Sequence, residues 1–453
     1  MRRFSFHVIV LMTLLNTGLA QSQTKSVLTL EQAVEIAINN DPWLVGSEYR
    51  EQAIVSSSVA AASLPDPLVN IGLANLPTDG FAFDQEPMTQ LKAGVSQMFP
   101  RGDSLDIRSR QLREQAAEHP LMRADRIART RVQVSDIWLE IYRAQESIKL
   151  IHQDRALFEQ LSDIAKANYA TALGRVRQQD IIRAKLELTR LEDRLTKLQA
   201  LEERATGKLL EWILKNQQSA RQLGFDAFSA LQLPNTLPAI AKITDNTLLM
   251  VERKNQQQLA EILADHPYIL SINQRIRASQ TGVELAKEKY KPQWGVNASY
   301  AFRDDTPAGA SRADFLSVGV SFDLPIFTEN RQDKEVSAAV NQSEAIKTDK
   351  LLALREMMSA IQSLYAERER LTDRQSLYND ELLAQMQEQA DASLNAYTND
   401  DGDFAEVARA RIADLNARID ALDIDVDLVR TNIRLNYYFN TTAGISKTQF
   451  GEQ

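Results

Sequence analysis

The chain contains no cysteine. That removes disulfide frameworks, thiolate metal sites and cysteine nucleophiles together, and with them a lipidated N-terminal cysteine. Its 453 residues hold only 16 glycines and 13 prolines, few for the length, which favours long helices over loop-rich folds. Histidine occurs four times. His7 lies in the leader described below. His119, His152 and His266 have no second ligand at i+3 or i+4, so each reads as a surface or packing residue rather than a metal ligand. Met88 and Met98 are soft donors, but two such residues read as filler. No Gly-rich phosphate loop and no serine nucleophile motif is present, so neither an enzyme nor a cofactor is expected. No stretch of Lys or Arg breaks the formal charge of −9, which argues against nucleic acid as partner.

What is present begins with a leader. Arg2 and Arg3 form a positive start, Val8 to Leu15 an apolar centre, and Gly18 and Ala20 the small residues before a cut at Gln21. Residues 1–20 therefore read as a secretory signal peptide, too short and too interrupted (Thr13, Asn16) for a span of ~20 apolar residues. Loss of the two arginines moves the formal charge from −9 to −11.

The mature chain repeats itself at an offset of 225 without a gap. Pro42, Pro67 and Pro100 match Pro267, Pro292 and Pro325; Arg50, Ala53 and Ala61 match Arg275, Ala278 and Ala286; Gly94-Val95-Ser96 matches Gly319-Val320-Ser321. The period is far beyond the ~20–50 residues of solenoid units. One structural unit has been built twice.

In the first unit, Thr29 and Gln32 form a capping box ahead of a helix reaching about Leu64, which Pro42 should kink or restart. Residues 68–76 alternate, with Val69, Ile71 and Leu73 opposite Asn70, Gly72 and Ala74; residues 90–99 alternate likewise. The two form a β-hairpin with a long loop. From Asp103 to about Tyr169 runs a helical pattern of ~100 Å at 1.5 Å per residue, with Pro120 expected to kink it. A tip at 169–174 leads to a return helix over 178–212. The second unit predicts a helix over 256–290, strands over 292–302 and 314–324, a long helix from Glu329 to about Tyr397, a tip at 398–403 and a return helix over 404–437.

Strands of about ten residues with one apolar and one small-polar face have the length and pattern of outer-membrane β-strands. Four strands cannot sit open in lipid, because their edge groups would lack partners. The sheet must close with copies of itself: two chains give 8 strands, three give 12, and only the larger leaves room for a lumen. Amphipathic helices ~100 Å long must pack as coiled-coil pairs. The competing reading is a structural periplasmic coiled-coil protein whose strand segments are loops.

The doubled plan, Leu28-Thr29-Leu30-Glu31-Gln32-Ala33 followed by Asp41-Pro42, and the tip pairs Tyr169/Gly174 and Tyr397/Gly402 carry a resemblance over nearly the whole mature chain. The chain resembles the TolC-type outer-membrane factors (outer membrane efflux proteins). Leu64-Pro65-Asp66-Pro67, Asn75-Leu76-Pro77, Gln85-Glu86-Pro87-Met88 and Ser96-Gln97-Met98-Phe99-Pro100 resemble their heavy-metal (CusC/CzcC-like) branch, which serves copper/silver or cobalt–zinc–cadmium pumps. The resemblance implies a mainly α fold with a small β part: a homotrimer, a 12-stranded transmembrane β-barrel in the outer membrane lipid, and a periplasmic α-barrel. It implies a periplasmic adaptor (membrane fusion protein) and an inner-membrane RND pump as partners, with the chain as exit duct of a tripartite efflux system. A duct for drugs or type I protein secretion is the alternative. The expected organisation is then signal peptide 1–20, first repeat 21–213 with hairpin 67–100, connecting equatorial segment 214–255, second repeat 256–437 with hairpin 292–325, and tail 438–453.

Candidate site residues follow at three places. Asp400, Asp401 and Asp403 would put nine carboxylates around the periplasmic mouth of a trimer, where like charges attract cations and resist closure; the alternative is a solvated turn. Arg175, Arg177 and Arg183 near the first tip would pair with them and hold the mouth shut. Tyr169, Gly174, Tyr397 and Gly402 are the expected adaptor contacts, unless the glycines only supply a positive φ. Acidic rings of some relatives lie further along the return helix, where this chain has Ala408 and Arg411. Trp294, Tyr300 and Phe302 are expected at the lipid interface.

Overall fold

The computed structural model describes residues 27–170, 178–214, 233–240, 251, 255–399 and 402–439. The expected leader, most of the 214–255 segment and most of the tail lie outside the described residues.

Helix α1 (Leu30–Asn40) begins at the predicted capping box: the Gln32 amide donates to Thr29 Oγ1 at 3.2 Å, and the Thr29 amide donates to Gln32 Oε1 at 3.1 Å. Pro42 restarts rather than kinks the helix. It is the first residue of α2 (Pro42–Ala61), where its missing N–H costs nothing, and Asp41 caps that helix by accepting the Trp43 amide at 2.9 Å. Strands β1 (Leu68–Ala74) and β2 (Gln90–Phe99) follow.

The long first helix is broken, not bent. Helix α3 (Ser104–Ala116) stops where Pro120 would clash with the carbonyl four residues earlier, and α4 (Glu118–Ala170) takes Pro120 into its first turn. At 1.5 Å per residue α4 alone runs ~80 Å. It is answered by α5 (Gln178–Ile213).

The second unit follows the same order, but its opening helix is also divided. α6 (Gln256–Ala264) and α7 (Pro267–Lys287) replace the continuous helix expected over 256–290, because Pro267, like Pro42, starts a new one. A 3-10 turn leads to β3 (Trp294–Phe302) and β4 (Phe315–Phe322). The long helix comes as α8 (Gln332–Leu377), a π turn over Tyr378–Leu382 and α9 (Leu383–Thr398), followed by α10 (Phe404–Phe439).

Three apolar clusters hold the helices. One joins α1 to α4, α5 and α10 around Trp138, Leu139 and Ile141. A second, nearer the tips, joins α4, α5 and α10 through Ile151, Phe158, Leu191 and Phe404. The third packs α6 and α7 on α8 and α10 through Leu263, Ile269, Met357 and Ile361. Alongside the first two clusters, α4 and α10 run antiparallel and are laced by ion pairs. Arg434 reaches Asp136 at 2.9 Å, Arg143 lies 3.9 Å from Asp427, and Arg418 reaches Asp154 at 2.6 Å. Long side chains paired at three levels set one axial register between helices of the two units.

Candidate functional site: a one-sided sheet and the helix tips

The four strands make one antiparallel sheet in the order β1-β2-β3-β4. Because side chains alternate, the pairing stacks like with like across all four. Val69, Val95, Ala298 and Val318 form one row; Ile71, Ala93, Tyr300 and Leu316 form the next. That face is open: Ile71 is 74% exposed and Leu316 76%. The opposite face is mostly small or polar, as in the row Asn70, Gly94, Ser299 and Ser317, with Leu68, Met98 and Phe315 the large apolar exceptions. A Cβ at Gly94 would stand 3.1 Å from that of Ser299, closer than ordinary packing.

Aromatic residues mark both ends of the apolar face. Trp294 packs on Phe322 at 4.8 Å at the helix end, and Phe302 stacks on Phe83 at 6.2 Å at the loop end. Trp294 and Phe302 are eight residues apart on one strand, ~27 Å at 3.4 Å per residue, which after a tilt of ~40° rises ~21 Å, within a ~25 Å apolar band. Tyr300 lies in the same set, bonded to Asp314. Among the described residues β1 pairs only with β2 and β4 only with β3, so the outer edges of β1 and β4 have no strand partner there. Among the described residues no helix is long and apolar enough to cross a membrane, which says nothing of a barrel.

At the far end, the second tip packs into the second cluster. Tyr397, on α9, stacks edge-on against the buried Phe404 of α10 at 5.8 Å. Gly402 is required for a different reason than a positive φ: a Cβ there would lie 2.7 Å from the Tyr397 amide nitrogen and 3.0 Å from the Ala396 carbonyl carbon. Asp403 is exposed, and its carboxylate accepts the Ala405 amide at 3.2 Å at the start of α10. It therefore serves the helix terminus, where a negative charge is favoured. Arg183 is exposed on α5. Tyr169 lies on the last turn of α4. Gly174, Arg175, Arg177, Asp400 and Asp401 lie outside the described residues. Arg411 donates to Asp391 of α9 at 2.8 Å and ties the two helices together.

Two participants were not singled out from sequence. The α4–α10 ion ladder joins residues as far apart as Asp136 and Arg434. His266 is 1% exposed and bonded through both ring nitrogens. The only sequence signal for the histidine was its position before Pro267, the place of Asp41 in the first unit. Among the described residues no group of three His, Asp or Glu side chains is placed to hold a metal ion.

No protein-family model and no curated protein matches the chain. Solved structures do match it over nearly its full length. The outer-membrane channel OprN is 16% identical, with a TM-score of 0.72 over 90% of this chain and 89% of that one. CusC, studied for conformational changes accompanying folding and transmembrane channel formation, is 14% identical, with a TM-score of 0.70 over 91% and 92%. The outer membrane protein VceC of Vibrio cholerae is 12% identical, with a TM-score of 0.72 over 91% and 96%. The chain thus shares the fold of these outer-membrane proteins: long helices packed beside one small antiparallel sheet.

Proposed function

We propose that the chain is the outer-membrane exit duct of a tripartite, RND-type efflux system, acting as a homotrimer whose sheets close into a 12-stranded barrel. The observation that carries this is the sheet: its apolar face is exposed across all four strands, and its two edges are open. Such a sheet is stable in lipid only when closed on copies of itself, since each unpaired backbone group there costs several kcal/mol. Export by the predicted leader, the aromatic levels and the shared fold support the same reading. A duct binds and passes its cargo without a catalytic centre.

The expected cargo is heavy-metal cations. Support for this comes from the Leu64–Pro67, Asn75–Pro77, Gln85–Met88 and Ser96–Pro100 segments. The fold likeness is even-handed, because OprN, CusC and VceC superpose about equally well. A periplasmic adaptor at Tyr169, Gly174, Tyr397 and Gly402, and a gate at Asp400, Asp401, Asp403, Arg175, Arg177 and Arg183, complete the proposal.

The test is electrical. The mature protein in a planar bilayer is expected to give discrete cation-selective steps, enlarged by Asp401→Arg or Arg175→Glu. A protein that stays soluble and never conducts would leave the coiled-coil reading standing. Cargo is then decided by complementation of a strain lacking its own exit duct: rescue of drug resistance but not of copper or zinc resistance would sink the metal assignment.

A further inference from the structure

The two repeat-related caps differ in chemistry. In the first unit Asp41 caps α2 and is gripped by Arg126, whose Nε lies 2.7 Å from its Oδ2. In the second unit the same place holds His266. Its Nδ1 accepts the Tyr268 amide at 3.2 Å, capping α7. Its other nitrogen, Nε2, lies 3.1 Å from the Tyr437 carbonyl oxygen near the end of α10. An acceptor at Nδ1 and a donor at Nε2 define one neutral tautomer. Both bonds require it.

The surroundings offer nothing to a second proton. The ring is 1% exposed and meets the Tyr437 ring edge-on at 4.9 Å. From α4 it faces Asp125 and Arg129, but Asp125 already accepts from Tyr437 Oη at 2.8 Å and pairs with Arg129 at 2.8 Å. From α10 come Tyr437 and, beyond it, Tyr438; from α7, Tyr268, over whose ring Arg129 sits at 5.0 Å. Asp265, beside it in sequence, is exposed, and Glu356 of α8 lies across a cavity of about 720 Å³ lined by Arg129, Tyr268 and Tyr437. Burial pushes the imidazole below its ordinary value of 6.5, with Arg129 adding to this and the Tyr437 carbonyl and Asp125 opposing it.

We infer that His266 is an acid-released latch: neutral, it clamps the start of α7 to the end of α10, and protonation turns Nδ1 from acceptor to donor and frees α7's first turn. The direction follows from linkage. A histidine held below its unfolded value contributes its full stabilisation above about pH 6.5, and loses it as pH falls through that value toward its folded one. The cavity beside it gives the released turn room to move.

The first unit supplies an internal control, because the Asp41 cap contains no imidazole. Hydrogen exchange of the full mature protein is compared at pH 7.5 and 5.0, with rates corrected for intrinsic exchange. Peptides over 266–272 are expected to exchange severalfold faster at the lower pH, while those over 41–45, short of Ser47 and its bond to His119 Nδ1, hold. Equal change at both caps, or none at either, overturns the latch. His266→Asn keeps a capping oxygen without a titrating ring, and is expected to abolish the difference. A difference surviving in that variant assigns the effect to Asp125 or Glu356 and also overturns it. Should the variant fail to fold, the two wild-type caps decide alone.

Discussion

Asp154 is the most enclosed carboxylate of the α4–α10 ladder, with a side chain 4% exposed and both oxygens accepting from Arg418 at 2.6 and 2.8 Å. Burial holds its carboxyl above the ordinary value, with Arg418 pulling it back. Arg418→Ala should cost about 3 kcal/mol, because it leaves a buried charge without its partner. Protonation relieves that charge, so the loss measured by denaturant unfolding should be larger at pH 7 than at pH 4. An equal loss at both would mean that packing of the arginine stem, not charge, is what the variant removes. At this scale the sequence was legible only where partners are local. The Thr29–Gln32 box could be read because its two members are three residues apart. The role of His266 could not, because its partner Tyr437 lies 171 positions away. Gly402 was expected at the tip, but its cause, contact with the Tyr397 backbone, depends on how the turn folds back.

Among the elements, the hairpins were the most readable, since a period of two and bounding prolines survive in one dimension. Their ladders run slightly shorter than expected: β1 ends at Ala74, β3 starts at Trp294 and β4 spans Phe315–Phe322. The helices were readable as pattern but not as continuity. A proline acts through a carbonyl four residues before it, so the break falls at Ala116–Ala117 rather than at Pro120. The repeat lengthens by three residues before its tips, and the structure shows where: Pro100 precedes α3 by four positions, whereas Pro325 precedes α8 by seven. The longer joint carries Ile326 and Phe327, both well exposed. For the sheet, neighbouring substitutions should behave oppositely. Val318→Arg faces the proposed lipid side and should cost about 2–4 kcal/mol near the midplane, whereas Ser317→Arg faces the proposed lumen and should cost little. Reconstitution and urea unfolding in bilayers would compare them. Equal costs would deny the sheet its lipid face.

For the whole molecule, the absence of cysteine becomes a tool. Gly72 on β1 and Ser317 on β4 lie at opposite edges of one sheet and two residues out of row, more than ~14 Å apart, too far for a disulfide within one chain. A cysteine at Gly72, paired in turn with cysteines along β4, should give interchain cross-links that end at a trimer on a non-reducing gel. Monomer throughout the series would count against the closed barrel. The doubling itself was legible because an ungapped offset is a property of the string. How the halves engage was not, since the α4–α10 ladder and the β2–β3 seam join residues no local pattern connects.

That seam carries a consequence for how the molecule is made. Each hairpin closes a short loop, but β2 pairs with β3 through partners such as Phe99 with Trp294 and Leu91 with Phe302, about 200 positions apart. Distant pairings form late, because the entropy of closing the intervening loop must be lost before any contact is gained. The helices α3 to α7 lie within that loop. This predicts an order of assembly in which the helical body folds back before the two hairpins come side by side. A chain stalled before that step would carry two separate hairpins with four open edges. The sheet is complete only once the helices have delivered it.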